Sequence, residues 1–595
     1  MIAGAITVLC TVVTVWRCAQ PGDLADRHVD MRRLSCRPLV ARLSGLQYAP
    51  LPRTGDCSAL AELGLTEHAT RLFIAARSEN PVATVVLTGN RERAKHQLER
   101  MTGRSDAMAT TWSDYAALLH DSAAPGDAFA LTTALAATDH ALDIEPFLPE
   151  ALFNRAVILE TLSFRIAALK AYDDYLWVDA KSPWSDEARQ RQLGLKTVPS
   201  VPRRFVDLAD LRRAAVSDDV LFINDLTVTS PELVRPLAEA ALGRWGERTL
   251  AHDFLKAAEW LAVTRIVGTS LERRFGDALL AETVRAIETS SDPSTLARAH
   301  VALSEARYVA LRNAASGKDP QISSDNPLIS AQFATCPCTN VRFGDFRDAF
   351  VHYADHGFAQ TPSPRTAAEA LRDAERLFAA QNSPMQLAAR FAVEMEEFRS
   401  KDFRRGVIDK LARRTPSRYR LLTAHIESVR ASAFVRDGQA REALTSLQAV
   451  HDTYQQLGEI GFANRTRHDL AAVYSGIGDT NEAWWLRSET FKWLDEQGGE
   501  RLLAYGIYQA AADALRGNRF DLAHSLLNVV VESEAFDRIY DEALIWRAAA
   551  ANSAGLKRTA RRHIDVAQRA LRSRTTDREH LRAELVIAAV WFEGM

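Results

Sequence analysis

Apolar residues recur at spacings of three and four along nearly the whole chain, and strict alternation of apolar with polar positions is almost absent. The periodic segments are rich in Ala, Leu, Arg and Glu, and the glycines and prolines fall mostly between them. This pattern predicts an all-α protein. In "PEALFNRAVILETLSFRIAALKAYDDYLWVDAKS", Pro149 to Ser182, one face of a first helix carries Leu152, Arg155, Ala156 and Leu159. Ala168 and Tyr172 face it from a second helix, and Pro183 closes the unit. Small residues at 156 and 168 let the two helices approach while larger neighbours fill the flanks, as in the ridge-and-groove packing of a helical hairpin.

The unit recurs. Ala94, Ala134 and Ala168 mark second helices 40 and 34 residues apart, and Ala443, Ala483, Ala523 and Ala560 mark others at intervals of 40, 40 and 37. Most follow a glycine-containing turn. In "SGIGDTNEAWWLRSETFKWL", Ser475 to Leu494, the glycines could also open a phosphate-binding loop. A dinucleotide loop requires a preceding buried strand and a third glycine where Asn481 stands, and a phosphate loop requires a Gly-Lys-Ser/Thr ending. Both are missing, so Gly476 and Gly478 end one helix while Asp479 and Thr480 start the next. Trp484, Trp485 and Trp493 then become packing residues.

These units resemble the tetratricopeptide repeat, which has a small residue in each helix at the offsets of Ala156 and Ala168, an aromatic four residues after the second, and a closing proline. Leu152 stands where that pattern has tryptophan. The resemblance implies a tetratricopeptide-type helical-hairpin solenoid in two arrays joined by a degenerate helical region. The expected divisions are a linker over 17–60, an N-terminal array over 61–200, a degenerate helical middle over 201–361, and an open-ended C-terminal array over 362–595. Within the middle, "SGKDPQISSDNPLIS", "TCPCTNVRF" and "QTPSPR" read as loops.

Ile2 to Trp16 is uncharged and is followed by Arg17. It is short of the roughly 20 residues of a spanning helix and long enough for a signal core. Residues 1–16 are therefore expected to be a membrane anchor or signal segment, with the chain cytoplasmic or membrane-anchored through its N-terminus.

Size and charge narrow the function. A chain of 595 residues exceeds a single compact core and fits an array that buries its apolar surface piecemeal. A net charge of −3 and a pI near 6.6 give no pull towards a polyanion. The basic runs "RRTPSRYR" (Arg413 to Arg420) and "KRTARRH" (Lys557 to His563) lack an aromatic platform, so nucleic acid is not the expected partner. Of six cysteines only Cys336 and Cys338 are paired closely, and no second pair completes a zinc site. His-Glu-x-x-His, Gly-x-Ser-x-Gly and Gln-Ala-Cys-x-Gly signatures do not occur, and His425, His451, His468 and His563 are scattered. The expectation is a non-enzyme with no cofactor, no metal and no small-molecule substrate.

"RPLVARLSGLQYAPLPR" (Arg37 to Arg53), "PEALFNRAVILETL" and "SPWSDEARQRQLGL" (Ser182 to Leu195) resemble the N-terminal region of long bacterial CHAT-domain proteins. There tetratricopeptide repeats precede a caspase-like peptidase domain. The resemblance implies a bacterial interaction scaffold or sensor working with a CHAT-type effector. No counterpart of that domain's catalytic His and Cys occurs here, so no catalytic residue carries over. Two other readings accompany it: a repeat-containing transcriptional or signalling regulator with weak nucleic-acid contact, and a truncated fragment of a CHAT peptidase. Partners are expected to be proteins or peptides held in a concave groove lined by first helices. His468, Asp469, Tyr508, Gln509 and Trp546 are its candidate contacts. The closing run Leu585 to Phe592 is apolar on all sides and is expected to be covered by a further domain, a second copy or a membrane.

Overall fold

A computed structural model of the protein describes residues 39–44, 48, 91–124, 127–197, 207–315, 367–399, 405–496, 500–533 and 537–573. The anchor or signal segment 1–16, all six cysteines, the loops at 316–330, 335–343 and 360–365, and the apolar run 585–592 lie outside the described residues. Among the described residues there are twenty-three helices and no strand, the helices packing largely in consecutive pairs.

Six helices form the N-terminal array: α1 (Arg91–Thr102), α2 (Ala109–Ser122), α3 (Ala128–Ile144), α4 (Pro149–Thr161), α5 (Arg165–Val178) and α6 (Pro183–Lys196). The hairpin read from Pro149 to Ser182 is α4 with α5. Ala156 and Ala168 are fully buried where these helices meet. Pro183 is the first residue of α6, where a missing N–H has no helical partner to lose.

The middle of the chain builds a separate core from α7 (Leu208–Val216), α8 (Val220–Thr229), α9 (Pro231–Leu250), α10 (Phe254–Phe275), α11 (Leu279–Thr289) and α12 (Pro293–Ala315). The same core continues through α13 (Ala367–Ala380), α14 (Met385–Arg399), α15 (Arg405–Arg414) and into α16 (Arg420–Arg436). Helices α9, α10 and α12 have 20, 22 and 23 residues, longer than the repeat helices. Gly246 lets α9 close on α12, because a Cβ there would lie 2.6 Å from the Ala297 carbonyl.

From α16 the chain becomes regular. α16, α17 (Ala440–Gln456), α18 (Ile460–Gly476), α19 (Thr480–Glu496) and α20 (Glu500–Arg516) each have 17 residues. They begin 20 residues apart, which gives a hairpin pitch of 40. α21 (Phe520–Glu532), α22 (Asp537–Ser553) and α23 (Lys557–Ser573) complete the set.

The three-residue turns have a common mechanism. Gly438, Gly458 and Gly478 adopt φ of 73°, 70° and 89°, Asn518 56° and Gly555 79°. After each, a backbone N–H reaches back to the carbonyl five residues earlier: Gln439 to Phe434, Glu459 to Tyr454, Asp479 to Tyr474, Arg519 to Ala514 and Leu556 to Ala551, all at 2.8–2.9 Å. This is the Schellman closure, which satisfies orphan carbonyls and requires a left-handed residue. Asp479 then accepts the Glu482 N–H at 3.2 Å, so the Gly-Ile-Gly stretch is a turn with a cap.

Helix α21 fixes how the arrays sit. Leu522 to Val531 are all buried, because α20 and α22 flank α21 and the N-terminal array lies against it. α3 packs on α19 and α21, and α5 reaches α21 as well. Leu131, Phe153, Ala168, Leu526 and Val530 consequently share one core. The middle bundle docks at the turn before α18, where Glu232 accepts the Ile460 and Gly461 N–H groups at 2.9 and 3.3 Å. A second tie comes from the basic run at 413–420: Arg418 bonds Glu282 at 2.5 Å and Arg420 donates to the Phe275 carbonyl at 2.7 Å.

The turns make a graded prediction. A Cβ on Gly478 would meet open space, so Gly478→Ala carries only left-handed strain of about 1 kcal/mol. A Cβ on Gly458 would lie 2.6 Å from Pro231 Cγ. Gly458→Ala should therefore lower the thermal midpoint at least twice as far as Gly478→Ala, because the middle bundle must also shift. Equal midpoints would contradict this account of the junction.

Candidate functional site

The five groove candidates lie on three first helices, α18, α20 and α22, which pack side by side. Counted back from the left-handed residue of each following turn, Asp469, Gln509 and Trp546 all stand nine positions before Gly478, Asn518 and Gly555. His468 and Tyr508 stand one position earlier. The repeat thus places the five at two adjacent positions of the first helices, Asp469, Gln509 and Trp546 sharing one register and His468 and Tyr508 the one before it.

They differ in what holds them. Trp546 is 38% exposed, a large aromatic left at the surface. Asp469 bonds Arg465 at 3.3 Å, and although burial opposes its charge, Arg465 and His468 hold its carboxyl below the ordinary range. His468 Nε2 is buried and finds no hydrogen-bond partner among the described residues. Tyr508 packs against the large core and donates to Glu542 Oε2 at 2.8 Å, so it ties α20 to α22. Gln509 is half-buried.

Sequence reasoning missed the main polar cluster, which sits where α3 and α4 meet α21. Asp139 accepts from Ser525 Oγ at 2.6 Å and from Asn528 Nδ2 at 3.3 Å, and His524 Nδ1 lies 3.3 Å away. Arg155 bridges Asp139 at 3.4 Å and Glu532 at 2.8 Å. His524 Nε2 faces His563 Nε2 at 3.2 Å and Asn528 Nδ2 at 3.2 Å, which fits a His524 whose proton is on Nδ1. Arg547 donates to Asn528 Oδ1 at 3.4 Å. Burial pushes the His563 imidazole down to about 2, helped by Arg547 and His524. Asp139 lies well below the ordinary carboxylate range; burial works against its charge, but His524, Arg155 and Ser525 outweigh it. Two carboxylates, two guanidiniums and two imidazoles thus share one buried cluster, in which Glu532 Oε2 and Arg547 Nε find no hydrogen-bond partner among the described residues.

A serine, a histidine and an aspartate meet here without forming nucleophilic machinery. The Ser525 hydroxyl donates to the carboxylate rather than to a base, and all three residues are at most 8% exposed. The cluster is a lock. Arg155 was its sequence signal: a charged residue on an apolar packing stripe requires a buried acid.

A second buried ionic cluster joins the middle bundle to the repeats. Arg235 bonds Glu459 at 2.6 Å and also Asp277, with all three side chains at most 4% exposed. One cation against two carboxylates leaves an uncompensated negative charge. Burial accordingly pushes the Glu459 carboxyl up to about 7, with Arg235 opposing the rise. A groove of about 400 Å³ between α16 and α17 is lined by Ser417, Arg420, Thr423, Glu427, Thr445 and Thr453. Its Arg420 is already bonded to Phe275 and Gln456.

Among the described residues, no group of three or more His, Cys, Asp or Glu side chains could hold a metal ion, and no helix is long and apolar enough to cross a membrane. No family model and no curated protein matches the sequence.

Two predictions test the locks. Arg155→Met removes the cation bonded to both Asp139 and Glu532, leaving only the more distant Arg547, and should cost about 3–5 kcal/mol, against about 1–3 for Ser525→Ala. Urea unfolding measures both, and the reverse order would contradict the bridging role of Arg155. Glu459 has a folded pKa near 7, above its ordinary 4.5, so the stability linked to its protonated form is complete below about 4.5 and lost as pH rises through 7. Burial lowers the pKa values of His120, His425 and His563, which therefore add stability as pH rises to about 6.5, so the Glu459 effect is read as a difference. The thermal midpoint of the unmodified chain minus that of Glu459→Gln should fall between pH 5 and 8, and a difference independent of pH would contradict it.

Proposed function

We propose that the protein is an interaction scaffold or sensor built from tetratricopeptide-type hairpins, which holds an extended or helical segment of another protein across α18, α20 and α22. The observation that carries this reading is the register of Asp469, Gln509 and Trp546, which repeats at one position of three adjacent first helices and ends in an exposed indole. Solenoids use this arrangement because equivalent positions of stacked units form a continuous surface. Tryptophan contributes a large contact area with few rotatable bonds and dominates many interfaces. In this reading the partner is a protein or peptide, and the effector is a CHAT-type protein or another signalling component acting in trans.

Tyr508 has a separate role: its bond to Glu542 keeps adjacent units in register and gives the face its shape. Residues that contact a partner should therefore separate from residues that support the face.

Selection of a random displayed-peptide library on the full-length chain should enrich a common motif. Trp546→Ala should weaken the enriched peptides at least tenfold with little change in thermal midpoint. Tyr508→Phe should lower the midpoint, by about 1 kcal/mol in stability. Failure to enrich any motif, or peptides indifferent to Trp546→Ala, would overturn the proposal.

A further inference from the structure

A short stretch of the chain, expected to be linker, lies on the N-terminal array in the manner of a bound peptide. Residues 39–44 contain no helix, and Leu39, Ala41 and Leu43 are each at most 3% exposed. These three alternate residues pack against Ala94 and Leu98 of α1 and Ala117 and Leu118 of α2. The chain bends at Val40 and Ala41 and turns at Ser44, and between these it presents Arg42 and Leu43 to the array with every second side chain from Leu39 to Leu43 buried.

The backbone of this segment is bound by side chains of two first helices. Asn154 of α4, fully buried, accepts the Arg42 N–H at 2.6 Å and donates to the Arg42 carbonyl at 2.8 Å. Asp114 of α2, 3% exposed, accepts the Ser44 N–H at 2.7 Å. Asn154 also donates to Ser113 Oγ at 3.2 Å, which fixes the amide in the orientation the clamp requires. Reading N–H and C=O of one residue, then the N–H two residues on, is how a neighbouring strand would bind an extended chain.

The Arg42 side chain enters an acidic and aromatic pocket. Its guanidinium lies 3.2 Å from Glu150, 3.4 Å from Asp179 and 3.4 Å from the Tyr175 hydroxyl. It also sits 5.3 Å from the centre of the Trp184 ring, whose edge meets Tyr48. Arginine combines charge and planarity suited to such a pocket.

The segment lies at the edge of two clusters. Leu39, Ala41 and Leu43 form a small cluster with α1 and α2, while Val40 and Tyr48, both half-buried, rest against the outside of the large core that unites α2 to α5. What holds the segment is burial of Leu39, Ala41 and Leu43, three backbone bonds worth about 1 kcal/mol net each, and the Arg42 pocket, and a peptide of the same pattern can make all of these contacts.

We infer that α1, α2, α4 and α5 form a peptide-binding groove, occupied in cis by residues 39–44, that accepts in trans an extended segment of a partner protein. That segment has apolar residues at alternate positions with an arginine between the last two. The site is separate from the first-helix face of α18, α20 and α22 and stands without it. Asn154 and Asp114 read backbone and accept any extended chain, while the small apolar pockets and the Glu150–Asp179 pocket select sequence.

The test uses a fluorescent synthetic peptide, RPLVARLSGLQY (residues 37–48), and the full-length chain. Leu43→Asp, which weakens the segment in cis, should bind the peptide at least tenfold more tightly than the unmodified chain does. Adding Asn154→Ala should abolish binding, and a scrambled peptide should not bind. In the unmodified chain, hydrogen exchange at the Arg42 and Ser44 amides should run at least tenfold faster than at buried α4 amides. Absence of binding by a folded Leu43→Asp chain, or binding indifferent to Asn154→Ala, would overturn the inference. Should Leu43→Asp fail to fold, the exchange measurement decides: opening of residues 42 and 44 only together with α4 makes the segment part of the core and also overturns it. Light scattering that shows the unmodified chain dimerising by exchange of this segment would replace an outside partner with a second copy.

Discussion

Arg155 must have its charge compensated in a place where water does not reach, and the architecture is organised around that requirement. Its guanidinium lies between Asp139 and Glu532, residues contributed by helices 377 positions apart in the case of Glu532. Burying a charge costs several kcal/mol unless a partner is held in good geometry. The partner is held only if α21 lies against α3 and α4. A stack of hairpins is ordinarily quasi-one-dimensional, each unit touching its neighbours. Here the first hairpins return onto the later ones, so units distant in sequence become nearest neighbours.

The consequences spread outward from that contact. α21 is apolar nearly all round because it has neighbours on every side; of the polar residues it retains, Ser525 and Asn528 hydrogen-bond Asp139, His524 lies beside that carboxylate, and Glu532 pairs with Arg155. The middle bundle is held by an analogous device on a smaller scale. Glu232 caps the start of α18, and Arg235 reaches past it to Glu459. Gly458 lets Pro231 approach, so one turn serves both as a repeat boundary and as a docking point.

Much of the fold was legible in the sequence, for local reasons. Helical periodicity and the small residues at 94, 134, 168, 443, 483, 523 and 560 located the second helices, since these positions depend on near neighbours alone. Turns ending in glycine were legible at 438, 478 and 555. The same closure at Ser163, Asp218, His252, Asn382 and Asn518 was not, because residues with a Cβ enter left-handed backbone there under tertiary constraint. Arg155 was visible as a misfit on a packing stripe, yet nothing local points to Glu532. Leu39, Ala41 and Leu43 carry a strand-like alternation, but the surface that pairs with it is made of side chains on helices, and a linker was the natural reading. The register of the groove candidates was legible as a face. The bond that makes Tyr508 a support depends on Glu542 of the next unit and was not.

Native-state hydrogen exchange tests the return contact most directly. If α3 and α21 are one unit, their buried amides open with the same free energy, and Arg155→Met lowers both by the same amount. Amides of α3 that open on their own at lower free energy, with α21 protection untouched by Arg155→Met, would show the two arrays to be independent and the account of the lock to be wrong.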